Sequence, residues 1–317
     1  MIIKKRDVED GVPCDTDENI TENPLLRIFL LISFWFNAIM KTRENFSENK
    51  EVSMKITHDF HVHTHLSICA NKTATVENYI AHAKRLGLKK IGFSDHFGAK
   101  DIPNARGFYR AHPYEHNAQL KDTLSALKEP DIQFYFGCET EYHTPKRDIA
   151  LTEEEAEKFD FITVPNSHTH MVMPKDYIGN YEKHIAFMIQ AYEDILNSPL
   201  ARYVTAMAHP FDICCHTYTT EDLLPLIPDD TFKRLFDRTA EKNIAFEINT
   251  AYTKNMTPDD IANDCRIRMF RLAKACGCKF TFGSDAHDSS YHEFYENADV
   301  LAEILGIKDE DLAEICR

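Results

Sequence analysis

The stretch "HDFHVHTHLS", residues 58–67, places four histidines in eight positions of a chain that has 16 in 317 residues. With the residues before it, "KITHDFHVH" (55–63) reads as a β-strand. Side chains two apart on a strand point the same way. His61 and His63 therefore project to one side, with His65 next in the same parity. Asp59 shares that parity and is placed to orient an imidazole from behind. His58 has the opposite parity and is not expected to be a ligand. Two neutral imidazoles at one strand end can chelate a single ion.

Outward from this strand, short β-rich runs alternate with longer helical patterns. "TVENYIAHAKRLGL" (75–88) repeats Val76, Tyr79, Ile80, Ala83 and Leu86 at helical spacing, with Thr75 as a cap. Further strands are expected at 89–96, 132–142, 159–168, 203–210, 243–250 and 279–287. Further helices are expected at 114–128, 180–196, 230–242, 259–276 and 292–305. Seven strands, each followed by a helix or a long crossover, imply a parallel sheet covered by helices. The fold class is α/β. Seven units fit a closed or distorted TIM-like (β/α) barrel better than an open doubly wound sheet. No GxGxxG turn or P-loop favours the open sheet.

The bulk numbers are those of a globular chain, with 43% hydrophobic and 27% charged residues. The formal net charge of −15 repels phosphate backbones, so nucleic-acid binding is not expected. Nine scattered cysteines without a CxxC pair look like free thiols in a reducing compartment, and a cytoplasmic location is expected. Residues 1–53 do not match the rest and read as a poorly ordered extension. They contain a short apolar segment, 28–40, below the roughly 20 residues that span a bilayer. Membrane contact would come only from that segment acting as an anchor. Residues 54–317 read as the catalytic domain, with a strand starting directly after Met54.

In a parallel β/α barrel, functional groups gather at the C-terminal strand ends. Each expected strand here ends in a candidate ligand: His61 and His63; Asp95 and His96; Glu139 and Glu141; His168 and His170; His209; Glu247 and Asn249; Asp285 and His287. One such histidine alone is more often a packed or solvated residue. Independent structural causes do not account for seven together, and a metal site follows.

The pieces "DFHVHTHLS" (59–67), "SDH" (94–96), "GCETE" (137–141), "NSHTH" (166–170), "AHP" (208–210), "EIN" (247–249) and "GSDAH" (283–287) resemble, in order, the motifs of the PHP (polymerase and histidinol phosphatase) superfamily. The resemblance covers about 55–305. It implies a distorted (β/α)7 barrel with two or three divalent ions at its C-terminal face, their identity open among Zn, Mn and Fe. Carried over, His61, His63, Glu139 and Asp285 hold one ion. Glu139 bridges to a second, held by His168 and His209. His96 and His287 serve a third. Cys69 falls near a further ligand position of the family; a thiolate suits zinc and suits manganese poorly.

Such a site suits phosphoester hydrolysis by water held on the ion of His61, His63, Glu139 and Asp285. No GxSxG elbow supplies a protein nucleophile, and the CxxxxxR match at 265–271 falls inside an expected helix, not a phosphate-binding loop. His65 and His170 are candidates to line the substrate pocket. Arg106 and Arg110, in "IPNARGFYRAHP" (102–113), are candidates for the phosphate oxygens, beside the plainer reading of solvated loop charges. The expected reaction is hydrolysis of a small phosphomonoester, with histidinol phosphate the best named substrate. Nucleotides or phosphotyrosine are the alternatives within the class. An amidohydrolase-type reaction or a non-catalytic metal-binding module are the readings outside it. Oligomeric state is not legible.

Overall fold

The computed structural model describes residues 54–98, 113–213 and 217–317. Residues 1–53, with the apolar segment 28–40, and Arg106 and Arg110 lie outside the described residues. In chain order the elements are β1 (His58–Val62), α1 (Val76–Leu86), β2 (Lys90–Phe93), α2 (Tyr114–Ala126), β3 (Gln133–Glu139), β4 (Tyr142–His143) and β5 (Asp148–Ile149). There follow α3 (Glu153–Ala156), β6 (Phe161–Pro165), α4 (Thr169–Val172), α5 (Tyr181–Asn197), β7 (Ala206–Ala208), α6 (Thr220–Leu223), α7 (Asp229–Glu241) and β8 (Ala245–Asn249). The chain continues through α8 (Pro258–Ala262), α9 (Cys265–Ala275), β9 (Phe280–Gly283) and α10 (Asn297–Leu305).

Seven strands form one parallel sheet in the order β1-β2-β3-β6-β7-β8-β9, and β4 and β5 make a small antiparallel hairpin. The first and last strands approach without a regular ladder. The seam is closed by the chain just past β9, where Asp285 N–H donates to His61 O at 2.8 Å and His63 N–H donates to Ala286 O at 2.9 Å. The result is the expected seven-strand TIM-like barrel, nearly closed, with helices between its strands.

Local chemistry explains the elements. Thr75 caps α1 by accepting from Asn78 N–H, and Gly87 ends it at φ 75°. Val76, Tyr79, Ile80, Ala83 and Leu86 form its buried stripe, as their spacing requires. The single helix expected at 259–276 is two, α8 and α9. Asp264 breaks it by accepting from Arg266 N–H and starting the second segment. The helix expected from 292 begins at Asn297. The strands are shorter than their apolar runs because each leaves the sheet as it reaches the mouth.

Inside the barrel, Phe60 of β1 and Phe161 of β6 meet edge to face at 5.2 Å, although β2 and β3 separate their strands in the sheet. That contact crosses the barrel's interior. A Cβ on Gly137 would stand 2.2 Å from the Phe161 ring, so glycine there makes room for it. The aromatic layer fills the barrel directly below the polar mouth.

Candidate metal centre

The alternation along β1 is broken by a register shift between Asp59 and Val62. This bulge lets neighbouring residues serve different layers: Phe60 joins the aromatic interior, and His61 and His63 reach the mouth. It also separates Asp59 from the imidazoles it was expected to orient. Asp59 Oδ1 accepts from the backbone N–H groups of His61 (3.1 Å) and Ser284 (3.0 Å), tying the bulge to the turn after β9. His58 stays out of the cluster, as expected. It packs on Phe60 and Phe282 and accepts from Phe282 N–H at 3.2 Å. Burial holds its ring down to about 3, so it is neutral.

Glu139, at the end of β3, is the centre of the cluster. Its Oε2 lies 3.5 Å from His61 Nε2, 3.4 Å from His63 Nε2 and 3.1 Å from His96 Nδ1. Its Oε1 lies 3.0 Å from His209 Nε2 and 3.6 Å from His168 Nε2. The two oxygens thus face different sets of imidazoles, as a bridging carboxylate would. Asp285 Oδ1 stands 3.5 Å from His61 Nε2 and 3.3 Å from His63 Nε2. Three groups bring their donor atoms within 4.8 Å of one another: His61, His63 and Asp285; His61, Glu139 and His209; and His63, His96 and His287.

The imidazoles are oriented from behind. His61 Nδ1 meets Glu247 at 2.8 Å, His168 Nδ1 meets Glu141 at 2.6 Å, His209 Nδ1 meets Ser167 Oγ at 2.7 Å and His63 Nδ1 meets Ser67 Oγ at 3.3 Å. The two carboxylates, and Ser67 Oγ whose own proton goes to Asp95, accept an Nδ1–H, which turns the Nε2 of His61, His168 and His63 inward. His61 Nε2 and His63 Nε2 face each other at 3.1 Å, and Glu139 Oε2 is buried with no hydrogen-bond partner among the described residues. Converging lone pairs and an unpaired buried carboxylate oxygen repel one another unless a cation lies among them. The residues present therefore fit divalent ions, with the hard and borderline donors that suit zinc, manganese or iron.

The electrostatics show how strongly the cluster attracts positive charge. Burial opposes charge on His61, yet the carboxylates Glu247, Asp285 and Glu139 hold its pKa well above the ordinary value. Burial likewise opposes charge on Glu139, yet His168, His61 and His96 hold its pKa well below the usual carboxylate range. Two residues of these groups sit on strained backbone: His209 at φ 25° and Asp285 at φ 52°. Gly283 is needed where β9 passes the site, since a Cβ there would stand 2.4 Å from His61 Cβ.

Some candidate residues lie apart. The strand ends at Val62, so the parity that pointed His65 inward does not reach it, and His65 is exposed. His170 sits on the short helix α4, its ring edge-on to His168 at 5.6 Å. Cys69 is exposed and belongs to none of the three groups. His168 stands just outside the second group, on the Glu141 side. Glu247 and Glu141, expected among the candidate ligands, stand instead behind the imidazoles as supports, together with Ser167 and Ser67, which were not singled out. Asp95 accepts from Thr64 N–H, Thr64 Oγ1 and Ser67 Oγ, each at 2.7 Å, and so pins the loop after β1. Their positions inside "EIN", "GCETE", "NSH" and "SDH" were the available signal.

A seven-strand parallel barrel with a His–carboxylate cluster at its mouth has the donor set of a divalent-metal centre. Residues 59–251 match the PHP domain, and the chain belongs to that family. A protein of Clostridium novyi (strain NT) named "probable phosphatase" is 26% identical over 71% of this chain and 78% of its own. Another of that name, from Shewanella frigidimarina, is 23% identical over 82% of this chain and 89% of its own. Among solved structures, HisK of Listeria monocytogenes matches 74% of this chain and 96% of its own with a TM-score of 0.57 at 15% identity. The histidinol phosphate phosphatase HisK of Lactococcus lactis, complexed with zinc, L-histidinol and phosphate, matches 78% of this chain and 94% of its own with a TM-score of 0.51 at 16% identity. No helix among the described residues is long and apolar enough to cross a membrane. The six described cysteines are free thiols.

Proposed function

We propose that residues 54–317 form a domain that hydrolyses a small phosphomonoester to an alcohol and inorganic phosphate, with histidinol phosphate as the substrate. The observation that carries the reading is Glu139, whose two oxygens face two different imidazole sets. In it His61, His63, Glu139 and Asp285 hold one divalent ion, Glu139, His168 and His209 a second, and His96 and His287, with His63, a third. Ions in such a donor set supply water acidified toward neutral pH and positive charge against the phosphoryl oxygens.

The chain's own part is positional. Glu247, Glu141 and Ser67 hold the imidazole protons of His61, His168 and His63 on Nδ1, so that their Nε2 atoms face inward, and Ser167 fixes the ring of His209. His61, His63, Glu139, His168 and His209 are buried, whereas Asp285 and His287 are partly exposed and mark the open side. The histidinol part of the reading draws support from the barrel shared with the Lactococcus lactis phosphatase.

The test is phosphate release from histidinol phosphate, nucleoside monophosphates and phosphotyrosine, with added Mn²⁺ or Zn²⁺ and with chelator. The expected result is release that chelation abolishes, with the highest kcat/KM on histidinol phosphate. Release that survives exhaustive chelation, or none from any ester by metal-loaded protein, overturns the reading. A higher kcat/KM on nucleotides or phosphotyrosine overturns the named substrate alone.

A further inference from the structure

Beside the ligands lies a pocket of about 310 Å³, lined by His168, His209 and Asp285 and, beyond them, by Asp212, Tyr252 and Arg266. It adjoins the cluster, so a phosphomonoester with its phosphoryl group on the ligands would lay its alcohol part here. The turn after β7 builds this wall. Phe211 at φ 61° reverses the chain, and Asp212 N–H donates to His209 O at 3.0 Å. Asp212 therefore stands three residues from a ligand and faces the same space.

The wall carries an unusual charge balance. Arg266 is 6% exposed and pairs with three carboxylates: Asp212 at 2.8 Å, Glu221 at 2.9 Å and Asp264 at 3.0 Å. Its guanidinium lies 4.3 Å from the centre of the Tyr252 ring. One guanidinium among three carboxylates leaves two formal negative charges. No other lysine or arginine lines the pocket among the described residues. Arg266 is thus neutralised and is no phosphate clamp. Its Nε and the Tyr252 hydroxyl are buried without hydrogen-bond partners among the described residues, which leaves polar capacity in the wall that those residues do not use. Asp212 Oδ1 accepts from Arg266 and from Thr220 Oγ1 at 2.6 Å. Oδ2 accepts from nothing among the described residues, and the side chain is 22% exposed.

Resting on the phosphomonoesterase reading above, we infer that Asp212 is a specificity-determining residue whose free carboxylate oxygen takes an ammonium or imidazolium group on the substrate's alcohol part. The site then selects amino-alcohol phosphates over neutral ones. A charged donor on a partly shielded carboxylate forms a strong hydrogen bond, whereas a neutral alcohol part offers Oδ2 at most an uncharged donor and no charge to balance the wall. The negative wall and the positive ions would together orient a substrate that is anionic at one end and cationic at the other.

The test compares metal-loaded full-length protein with Asp212→Asn, which keeps an acceptor for Arg266 and Thr220. With histidinol phosphate and phosphoethanolamine, kcat/KM should fall about ten- to a hundredfold. With 4-nitrophenyl phosphate it should stay within about twofold, because no cation is lost. Asp212→Glu, which keeps the charge, should retain the preference. An equal fall on all three esters, or no fall on any, overturns the inference and leaves the phosphatase reading standing. Absence of phosphate release from every ester by the unsubstituted protein overturns that reading, and this inference with it.

Discussion

Two layers of the same barrel, stacked directly on one another, are buried to the same degree and built on opposite principles. In the lower, Phe60 and Phe161 cross the interior and Gly137 leaves the space they fill. In the upper, His61, His63, Glu139 and His209 occupy equally dry positions with their lone pairs converging. Phe60 and His61 are adjacent in β1, and Gly137 and Glu139 are two apart in β3. The lower layer is stable by itself, through apolar burial and close packing. The upper is a concentration of buried polar groups that cations would satisfy. The difference teaches that folding free energy and chemical capacity are held in separate layers, joined by a bulge one residue long.

Substitutions should separate the two layers. The largest effect is expected from His63→Ala or Asp285→Ala: loss of detectable phosphate release with little change in far-UV circular dichroism. Near-normal turnover in either variant would remove these residues from the ligand set. Next comes Phe161→Ala, which should lower unfolding stability by about 3–5 kcal/mol in urea titrations. Turnover of the molecules still folded should change little. A variant that loses turnover without losing stability would show that the layers are not separate.

Glu247→Gln sits at the upper layer's edge. It keeps the shape but weakens the grip on His61 Nδ1–H, so metal affinity and kcat/KM should fall about 10–100-fold. A metal titration that overlays the parent's would mean that His61 needs no support. The smallest effect concerns His58, at the rim of the lower layer. Its ring stays neutral in the fold down to about pH 3, whereas in the unfolded chain it takes up a proton near pH 6.5. Its contribution is therefore complete above pH 6.5 and is lost as pH falls from there toward 3. Between pH 7 and pH 5 that loss is about 2 kcal/mol. His58→Gln, a neutral acceptor for Phe282 N–H, should show an acid-induced loss smaller by that amount. Equal losses in the two proteins would show that the ring titrates normally.

The barrel was legible because helical and strand periods differ and their order follows the chain. The stripe of α1 is an example: Val76, Tyr79, Ile80, Ala83 and Leu86 are all buried as spaced. Most of the His–carboxylate cluster was legible for a related reason, since every strand of a parallel barrel delivers its end to one mouth. Asp59 shows where alternation failed. The bulge between Asp59 and Val62 depends on pairing with β2, which no local pattern in β1 records. His65 failed likewise, because β1 had already left the sheet. The Nδ1 partners were visible as residues but not as partners, since Glu247 lies 186 positions from His61.

By itself, then, the order of residues determined the alternation of strands and helices and the placing of imidazoles and carboxylates at strand ends, because both follow from short-range spacing. Tertiary structure alone decided which lone pairs face one another, which groups stand behind them and which wall adjoins them. Those relations join residues far apart in the chain, and only the closure of the barrel brings them to distances at which hydrogen bonds and charges act.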